Sequence, residues 1–474
     1  MSSLKLLRLS LPLLAAAALF ATGCTNGTMT SSNTNSGSTG PAFVVGTDAP
    51  LASVVSFPVV VQSVILTGTT NSTNLVSGSP TVDFARFNGL QTLIDMNDIP
   101  VGSYTGVNIT LGAATIGYLN TATTPSSIAT MPATYPSSAG SYTVSIPLDK
   151  TLNVTNSTSD GLRMDFDLAK SIQVNSSTGQ ITGAVTPTLD VNVVSRTDQG
   201  GHIDTKIAGI VSVNQSAGTF VIQGPHGENF NVVTNGNTEW DGNATIGALN
   251  TNSIVEIAGT LDPADQTLDA DEIAILADKG AYMTGQVTYV TPASGAATSL
   301  DLYVRAVVPA NTGLLGNLAT VNLSGNENYY VYWMHNPFTQ FLFNSSALVA
   351  GQDLGLGGST TSVSGTTVTG VDRIHLRNWG FNGTVVAGSQ SAVNGTFKMQ
   401  VTGFAGVLIP ETITVYLGNH SDFRYGLGTF SDLTNGANVR VVGLLLKNPA
   451  NGNVVLLARH CDGLTFTDFA TTAY

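Results

Sequence analysis

Apolar and polar residues alternate along much of the first half of the chain, and this pattern predicts β-strands. Residues 107–111, 142–148 and 162–168 carry an apolar side chain at every second position, with mostly polar residues between them. Because successive side chains of a strand point to opposite faces, each segment predicts a strand with one face in a core and the other in water. Residues 59–66 add a strongly apolar, β-branched strand. Together these segments predict a β-domain over residues 42–196.

A second pattern begins after residue 201 and recurs three times. Each block opens on a glycine (Gly209, Gly285 or Gly383), later has a polar-aromatic strand, then a Gly-containing strand and a final apolar strand. About five short strands with glycine at the bends are enough to close a small barrel. The sequence therefore predicts barrels over residues 202–280, 281–380 and 381–474, the second with an insertion around residues 306–328.

The composition favours the same fold class. Charged residues make up only 10% of the chain, and 51 residues are glycine. A helical protein would carry many more Glu, Lys and Arg on its exposed faces, whereas hydroxyl and amide side chains suit exposed strands and turns. The predicted fold class is all-β: an N-terminal β-sandwich followed by three small β-barrel repeats.

Three short motifs resemble a known family. They are residues 47–50 (Thr-Asp-Ala-Pro), 99–104 (Ile-Pro-Val-Gly-Ser-Tyr) and 164–167 (Met-Asp-Phe-Asp, with Lys170 and Ser171 after it). They are similar to bacterial lipoprotein domains of unknown function, and the resemblance implies a prealbumin-like sandwich without assigning an activity. The later blocks resemble a second bacterial family of unknown function, whose tandem domains are expected to be OB-like.

The N-terminus has the layout of a secretory signal. Lys5 and Arg8 precede the apolar run 9–20, and small residues lead to Cys24. This ending resembles the lipobox of bacterial lipoproteins, which implies a signal peptide over residues 1–23, a lipid on Cys24 and a flexible tether over residues 24–41. A plain signal peptide and a spanning helix remain as alternatives, although the run is shorter than the roughly 18–20 residues of a membrane span.

Net charge and cysteine content limit the partners. The formal net charge is −13, which argues against nucleic acid because such binding needs clustered Lys and Arg. With Cys24 lipidated, Cys461 has no partner for an intrachain disulfide, and its apolar surroundings predict a buried, inert thiol. We expect no cofactor.

The motifs of serine hydrolases, zincins and nucleotide-binding loops are missing from the sequence. Asp165 and Asp167 lie on one face of a predicted strand, where a solvated or loop-bracing role is favoured over catalysis. A turn in the first block gathers oxygen ligands of the kind that calcium prefers, although without EF-hand spacing. A solvated acidic turn is the default for these calcium candidates, which are Asp262, Asp265, Asp269 and Asp271.

The middle block contains the densest aromatic run of the chain. As a strand, this run sends its rings alternately to both faces, so that one face enters a core and the other shows aromatic rings to solvent. Packing in the core is the competing interpretation. The candidate partner-binding residues are Tyr329, Tyr330, Tyr332 and Trp333.

These features predict a lipid-anchored protein of the cell envelope with a binding or structural role and no enzymatic activity. Its expected partners are the membrane, through Cys24, and a glycan or an envelope protein. Thr25 follows the cysteine where an Asp would favour the inner membrane, so we expect the outer membrane, on its periplasmic or surface side. The alternative is a periplasmic carbohydrate-binding or carbohydrate-processing factor that uses Asp165 and Asp167.

Overall fold

The chain is built almost entirely of β-strands, which confirms the predicted all-β class. The computed structural model describes residues 38–49, 54–69, 72–87, 92–120, 127–137, 140–156, 160–175, 181–195, 202–223, 229–241, 244–262, 265, 267–278, 280–309, 312–331, 341–401, 412–424 and 426–463. Within these ranges the one α-helix is a single turn, α1, at Leu168–Ser171. None of the described helices is long and apolar enough to cross a membrane.

The first thirteen strands form an N-terminal β-sandwich. Their bounds are β1 Thr39–Ala49, β2 Val54–Ser56, β3 Pro58–Gly68, β4 Ser72–Asn74, β5 Thr81–Asp83, β6 Thr92–Pro100, β7 Gly102–Asn120, β8 Ser127–Pro132, β9 Tyr142–Val154, β10 Asp160–Asp167, β11 Ile172–Val174, β12 Ile181–Val185 and β13 Leu189–Ser195. One sheet has the order β13-β10-β1-β6, and the other is centred on β7 and β3. Apolar side chains of both sheets, such as Leu162 and Ile109, meet in one core.

Strand β1 is buried on both faces. Ala42 and Val44 enter the core of the sandwich, whereas Phe43 and Val45 enter the core of the domain that follows. The strand runs parallel to β10 and antiparallel to β6. It begins at Thr39, so the last residues of the segment 24–41, expected to be flexible, belong to the fold.

The first of three further units is a closed barrel. Its strands are β14 His202–Asn214, β15 Thr219–Gln223, β16 Asn229–Val233, β17 Glu239–Trp240, β18 Ile254–Asp262 and β19 Thr267–Ala277. Around the ring the order is β14-β15-β16-β19-β18, and the parallel pairing of β16 with β19 closes it. The short strand β17 continues beside β19 in the same direction.

The last unit closes in the same order. Its strands are β28 Trp379–Val385, β29 Thr396–Val401, β30 Thr412–Arg424, β31 Asn438–Lys447 and β32 Val454–Gly463. The ring runs β28-β29-β30-β32-β31, again closed by a parallel pair, β30 with β32. Its first strand begins two residues before the predicted boundary at residue 381.

The middle unit pairs its strands in a related way around a broken last strand. Its strands are β20 Ala281–Thr291, β21 Ser299–Val308, β22 Leu318–Asn322, β23 Asn328–Val331, β24 Asp353–Gly358, β25 Ser362–Ser364, β26 Thr367–Thr369 and β27 Arg373–Arg377. In the middle unit two separate strands, β26 and β27, form the parallel pairs β22–β26 and β23–β27. In the other units one continuous last strand forms the parallel pairing. The result is an eight-stranded sheet with β23 at one end.

The segment 306–328, where the sequence predicts an insertion in the middle unit, contains strand β22 (Leu318–Asn322), and β23 begins at its last residue, Asn328. The position of the insertion stays a prediction.

Two glycines mark equivalent bulges in the closed barrels. The pairing register between β18 and β19 shifts at Gly259 in the first barrel, and the register between β31 and β32 shifts at Gly443 in the last barrel. A Cβ atom on Gly443 would overlap the carbonyl oxygen of Leu457 on the facing strand. Bulges bend a strand, and here the bend helps a five-stranded sheet to close.

We predict that Gly443→Ala destabilises the protein by about 2–3 kcal/mol, because the backbone of the facing strand must move to admit the methyl group. Urea unfolding followed by tryptophan fluorescence measures the change. Gly236→Ala is the matched control, since no atom lies within 4 Å of its Cβ position, and its effect should stay within about 0.5 kcal/mol. Equal effects of the two substitutions would contradict the assigned bulge.

Candidate functional site

Three aromatic side chains form a row across the outer face of the middle sheet. Tyr330 of β23 lies opposite His375 of β27, and their ring centroids are 4.9 Å apart. On the other side of His375, the hydroxyl of Tyr282 is 2.9 Å from Nδ1. Tyr282 reaches across Gly355, where any side chain would collide with its phenol. We call Tyr282, His375 and Tyr330 the aromatic row.

The row runs from the interior to the surface. Tyr282 is fully buried and packs against apolar residues of the first barrel, whereas Tyr330 keeps 44% of its surface exposed. One side of the Tyr330 ring therefore packs against His375, and its other side is exposed to solvent.

The neighbours of Tyr330 along β23 point the other way. Tyr329 and Val331 pack against the core of the middle unit, and the ring of Tyr329 meets Phe343 edge to face at 5.6 Å. Burial, assisted by the Glu327 carboxylate, raises the pKa of Tyr329 to about 12. Leu342, next to Phe343, is 67% exposed. Of the four predicted partner-binding residues, Tyr330 is exposed and Tyr329 is half-buried, and Tyr332 and Trp333 lie outside the described residues.

Beside the row lies a buried ion network that joins two units. The guanidinium of Arg377 binds both carboxylate oxygens of Glu256, from the first barrel, and donates to Asp353 Oδ2 at 2.9 Å. Burial lowers the pKa of Arg377, but the two carboxylates more than offset this, so that its pKa lies above the ordinary value. The network thus fixes the first barrel against the face that carries the aromatic row.

His375 is neutral in this environment. Burial lowers its pKa to about 4, an effect that Glu256 opposes and that Arg373 and Arg377 reinforce. Burial also raises the pKa of Tyr282 well above its ordinary value. Both members of the hydrogen bond are therefore uncharged at neutral pH, and the support behind Tyr330 carries no charge of its own.

The carboxylates singled out in the sandwich have a structural position. Asp167 accepts a hydrogen bond from the backbone N–H of Lys170 at 2.9 Å, which caps the turn α1, and it pairs with the Lys170 ammonium at 2.5 Å. This agrees with the loop-bracing alternative. Both Asp165 and Asp167 are buried, so the solvated alternative is wrong.

The acidic turn of the first barrel does not gather its carboxylates around one point. Asp271 lies near His202 Nδ1 at 3.7 Å and the Thr260 hydroxyl at 3.4 Å, while Asp269 lies near the Thr267 hydroxyl. The other two calcium candidates are Asp262, at the end of β18, and Asp265, in the turn. Within the described part of the chain, no group of three or more His, Cys, Asp or Glu residues is arranged to hold a metal ion.

The two cysteines have separate outcomes. Cys461 is a free, fully buried thiol in the core of the last barrel, as predicted, and burial raises its pKa well above the ordinary value. Such a thiol is rarely a thiolate and is unreactive. Cys24 lies outside the described residues, so its lipidation stays a prediction.

Fold and site together define a class: an all-β protein of a sandwich, two closed barrels and, between them in sequence, an eight-stranded sheet that carries an aromatic row at its surface. Residues 42–182 match the family described as Domain of unknown function (DUF4382). The match covers most of the sandwich, up to the start of β12, and none of the three later units. No curated protein matches the chain.

The sequence did not single out Glu256, Asp353 or Arg377 as a group. Glu256 and Arg377 are 121 residues apart in the sequence and lie in different units. The available signal was charge inside a mostly apolar strand, as in 254–257 and 374–377, because a charge there needs a partner when the strand is buried.

We predict that His375 makes stability depend on acid. The unfolded state takes up a proton near pH 6.5, whereas the folded state does so only near pH 4, so stability should fall as the pH drops between these values, by up to about 3 kcal/mol. In His375→Gln the amide can still bond Tyr282, and this part of the pH dependence should vanish. Urea unfolding of both proteins at pH 7.5, 6, 5 and 4 tests this, and parallel profiles would contradict it.

Proposed function

We propose that the protein is a lipid-anchored protein of the cell envelope that binds a partner, either a glycan or an envelope protein, and catalyses no reaction. Acylated Cys24 is the proposed anchor, in the outer membrane. The three units that follow the sandwich are, in this proposal, tandem copies of one OB-like domain.

The exposed ring of Tyr330 is the observation that carries the binding role. Large aromatic side chains are costly to expose, and in known interfaces they supply much of the binding energy. This ring is also held in place by His375 and Tyr282. A ring that is fixed before binding loses less conformational entropy when a partner arrives.

Hydrophobic cores that are shared between neighbouring units support the proposal that this protein presents a binding surface. Phe43 and Val45 of the sandwich enter the core of the first barrel, and Leu444 and Leu457 of the last barrel pack into the core of the middle unit. Gln352 of the middle unit also donates to the carbonyl of Leu445 at 3.1 Å. Such joints hold the units in fixed relative positions, which suits a protein that presents a surface.

Three recurring features support the tandem-copy part. The closed barrels share one strand order and a glycine bulge at the same place. In all three units a 3-10 turn is followed directly by a buried leucine, which lies five positions before the next strand (β18, β24 or β31) begins. These leucines are Leu249, Leu348 and Leu433.

The alternative function as a periplasmic carbohydrate-processing factor has less support. A catalytic carboxylate must reach its substrate, whereas Asp165 and Asp167 are buried, and Asp167 already caps α1 and pairs with Lys170. The carbohydrate-binding variant does not depend on these residues.

Cys24→Ala should abolish labelling by radioactive palmitate and move the protein from the membrane pellet to the soluble extracytoplasmic fraction, because the variant lacks the thiol that carries the lipid. Cell fractionation with an antibody against the last barrel measures this. Cys461→Ala is the matched control and should stay in the pellet. If Cys24→Ala remains labelled, the anchor is wrong.

The binding role makes a separate prediction. A photo-crosslinking amino acid in place of Tyr330 should capture a component of intact envelopes, because the partner covers this ring. The same residue in place of Val393, which is 97% exposed on the last barrel, is the control. Equal capture at the two positions, or capture at neither, would overturn the proposed surface.

A further inference from the structure

We propose that the surface around Tyr330 binds a neutral glycan, with the ring of Tyr330 stacking on the apolar face of a sugar. This inference rests on the proposed function and names the partner class for the same surface. Three features of the surface carry it: the fixed ring, the planar polar side chains beside the ring, and the balance of charge.

The first feature is the orientation of the ring. The ring planes of Tyr330 and His375 are inclined by 38° at a centroid distance of 4.9 Å, so the phenol ring packs against the imidazole ring. His375 cannot swing away while it is bonded to Tyr282, which is enclosed by the first barrel. A flat, fixed aromatic surface is what an apolar sugar face requires, since sugars have no large apolar side chain to insert into a pocket.

The second feature is the set of polar groups beside the ring. Asn328 precedes Tyr330 by two residues, on the same face of β23, and is exposed. It lies opposite Arg373, whose guanidinium is 3.5 Å from Asp278 Oδ2. Amide, guanidinium and carboxylate groups are planar, and each offers at least two hydrogen-bonding atoms. Such pairs of atoms match the neighbouring hydroxyls of a sugar ring.

The third feature is charge. The cationic group beside the ring, Arg373, is paired with Asp278, and the imidazole behind the ring is neutral. The chain as a whole carries a net charge of −13. Because the Arg373–Asp278 pair is balanced, an anionic ligand such as a phosphate or a uronic acid gains little net attraction from it. The surface therefore favours an uncharged sugar.

The exposed side chain of Leu342 distinguishes a bound glycan from a bound protein. Leu342 is 67% exposed and precedes Phe343, which contacts Tyr329 on the side of β23 opposite to Tyr330. A protein interface would use this leucine, because apolar side chains are buried together at the centre of such contacts. A glycan that stacks on Tyr330 and bonds to Asn328 and Arg373 does not need it.

The test is calorimetric titration of the soluble Cys24→Ala protein with hexasaccharides of β-1,4-linked glucose, xylose, mannose and N-acetylglucosamine, and with hexagalacturonate as the acidic probe. We expect binding of at least one neutral hexasaccharide. Tyr330→Ala should weaken it about tenfold or more, Tyr330→Phe should preserve it within about threefold because the ring remains, and Leu342→Ala should leave it unchanged. Thermal unfolding of each variant checks that the fold is intact.

Three results would overturn the inference: no binding of any neutral hexasaccharide, tighter binding of hexagalacturonate, or full affinity in folded Tyr330→Ala. Its failure is distinguishable from that of the proposed function. If no glycan binds but the crosslinker at position 330 captures an envelope protein, and Leu342→Ala reduces that capture, the surface binds protein and the proposed function stands. If no glycan binds and position 330 also captures nothing, both are wrong.

Discussion

The arrangement of the whole protein depends on the burial of one strand, β1, on both of its faces. Alternate side chains of this strand serve two different cores: Ala42 and Val44 fill the sandwich, and Phe43 and Val45 fill the first barrel. Neither domain can turn against the other without exposing half of the strand to water, and each buried apolar side chain contributes about 1.5–3 kcal/mol. The sandwich and the first barrel therefore behave as one body, and the later units build on it.

The next joint uses charge where the first uses apolar contact. Arg377 brings two carboxylates of different units together in a buried place, and removing water from three charges is tolerated only because each finds a partner. Such a network adds little net stability, but it accepts one geometry, because any other leaves a charge unpaired. It thereby fixes the position of the face on which His375 and Tyr330 lie.

The surface site is a consequence of how the strands of the middle unit pair. In the other units the last strand is continuous, whereas here residues 370–372 interrupt it, and β23 pairs with its second half. This pairing puts Tyr330 at the end of the sheet beside His375. The buried rings of the same sheet could not serve as a contact surface, and the exposed ring would be less fixed without them.

The sequence by itself determined the local features of this protein, and the structure decided which of them meet. Period-two alternation, low charge and recurring glycines were sufficient for the all-β class and the sandwich strands, because they report the two faces of a strand from neighbouring residues. The apolar run 454–458 was likewise sufficient for the burial of Cys461. The same local information missed the site's support, because Glu256 comes from β18, Tyr282 from β20, and His375 and Arg377 from β27. Their contacts follow from the order in which strands pair, which is set by the burial of whole faces and by the pairing of distant charges.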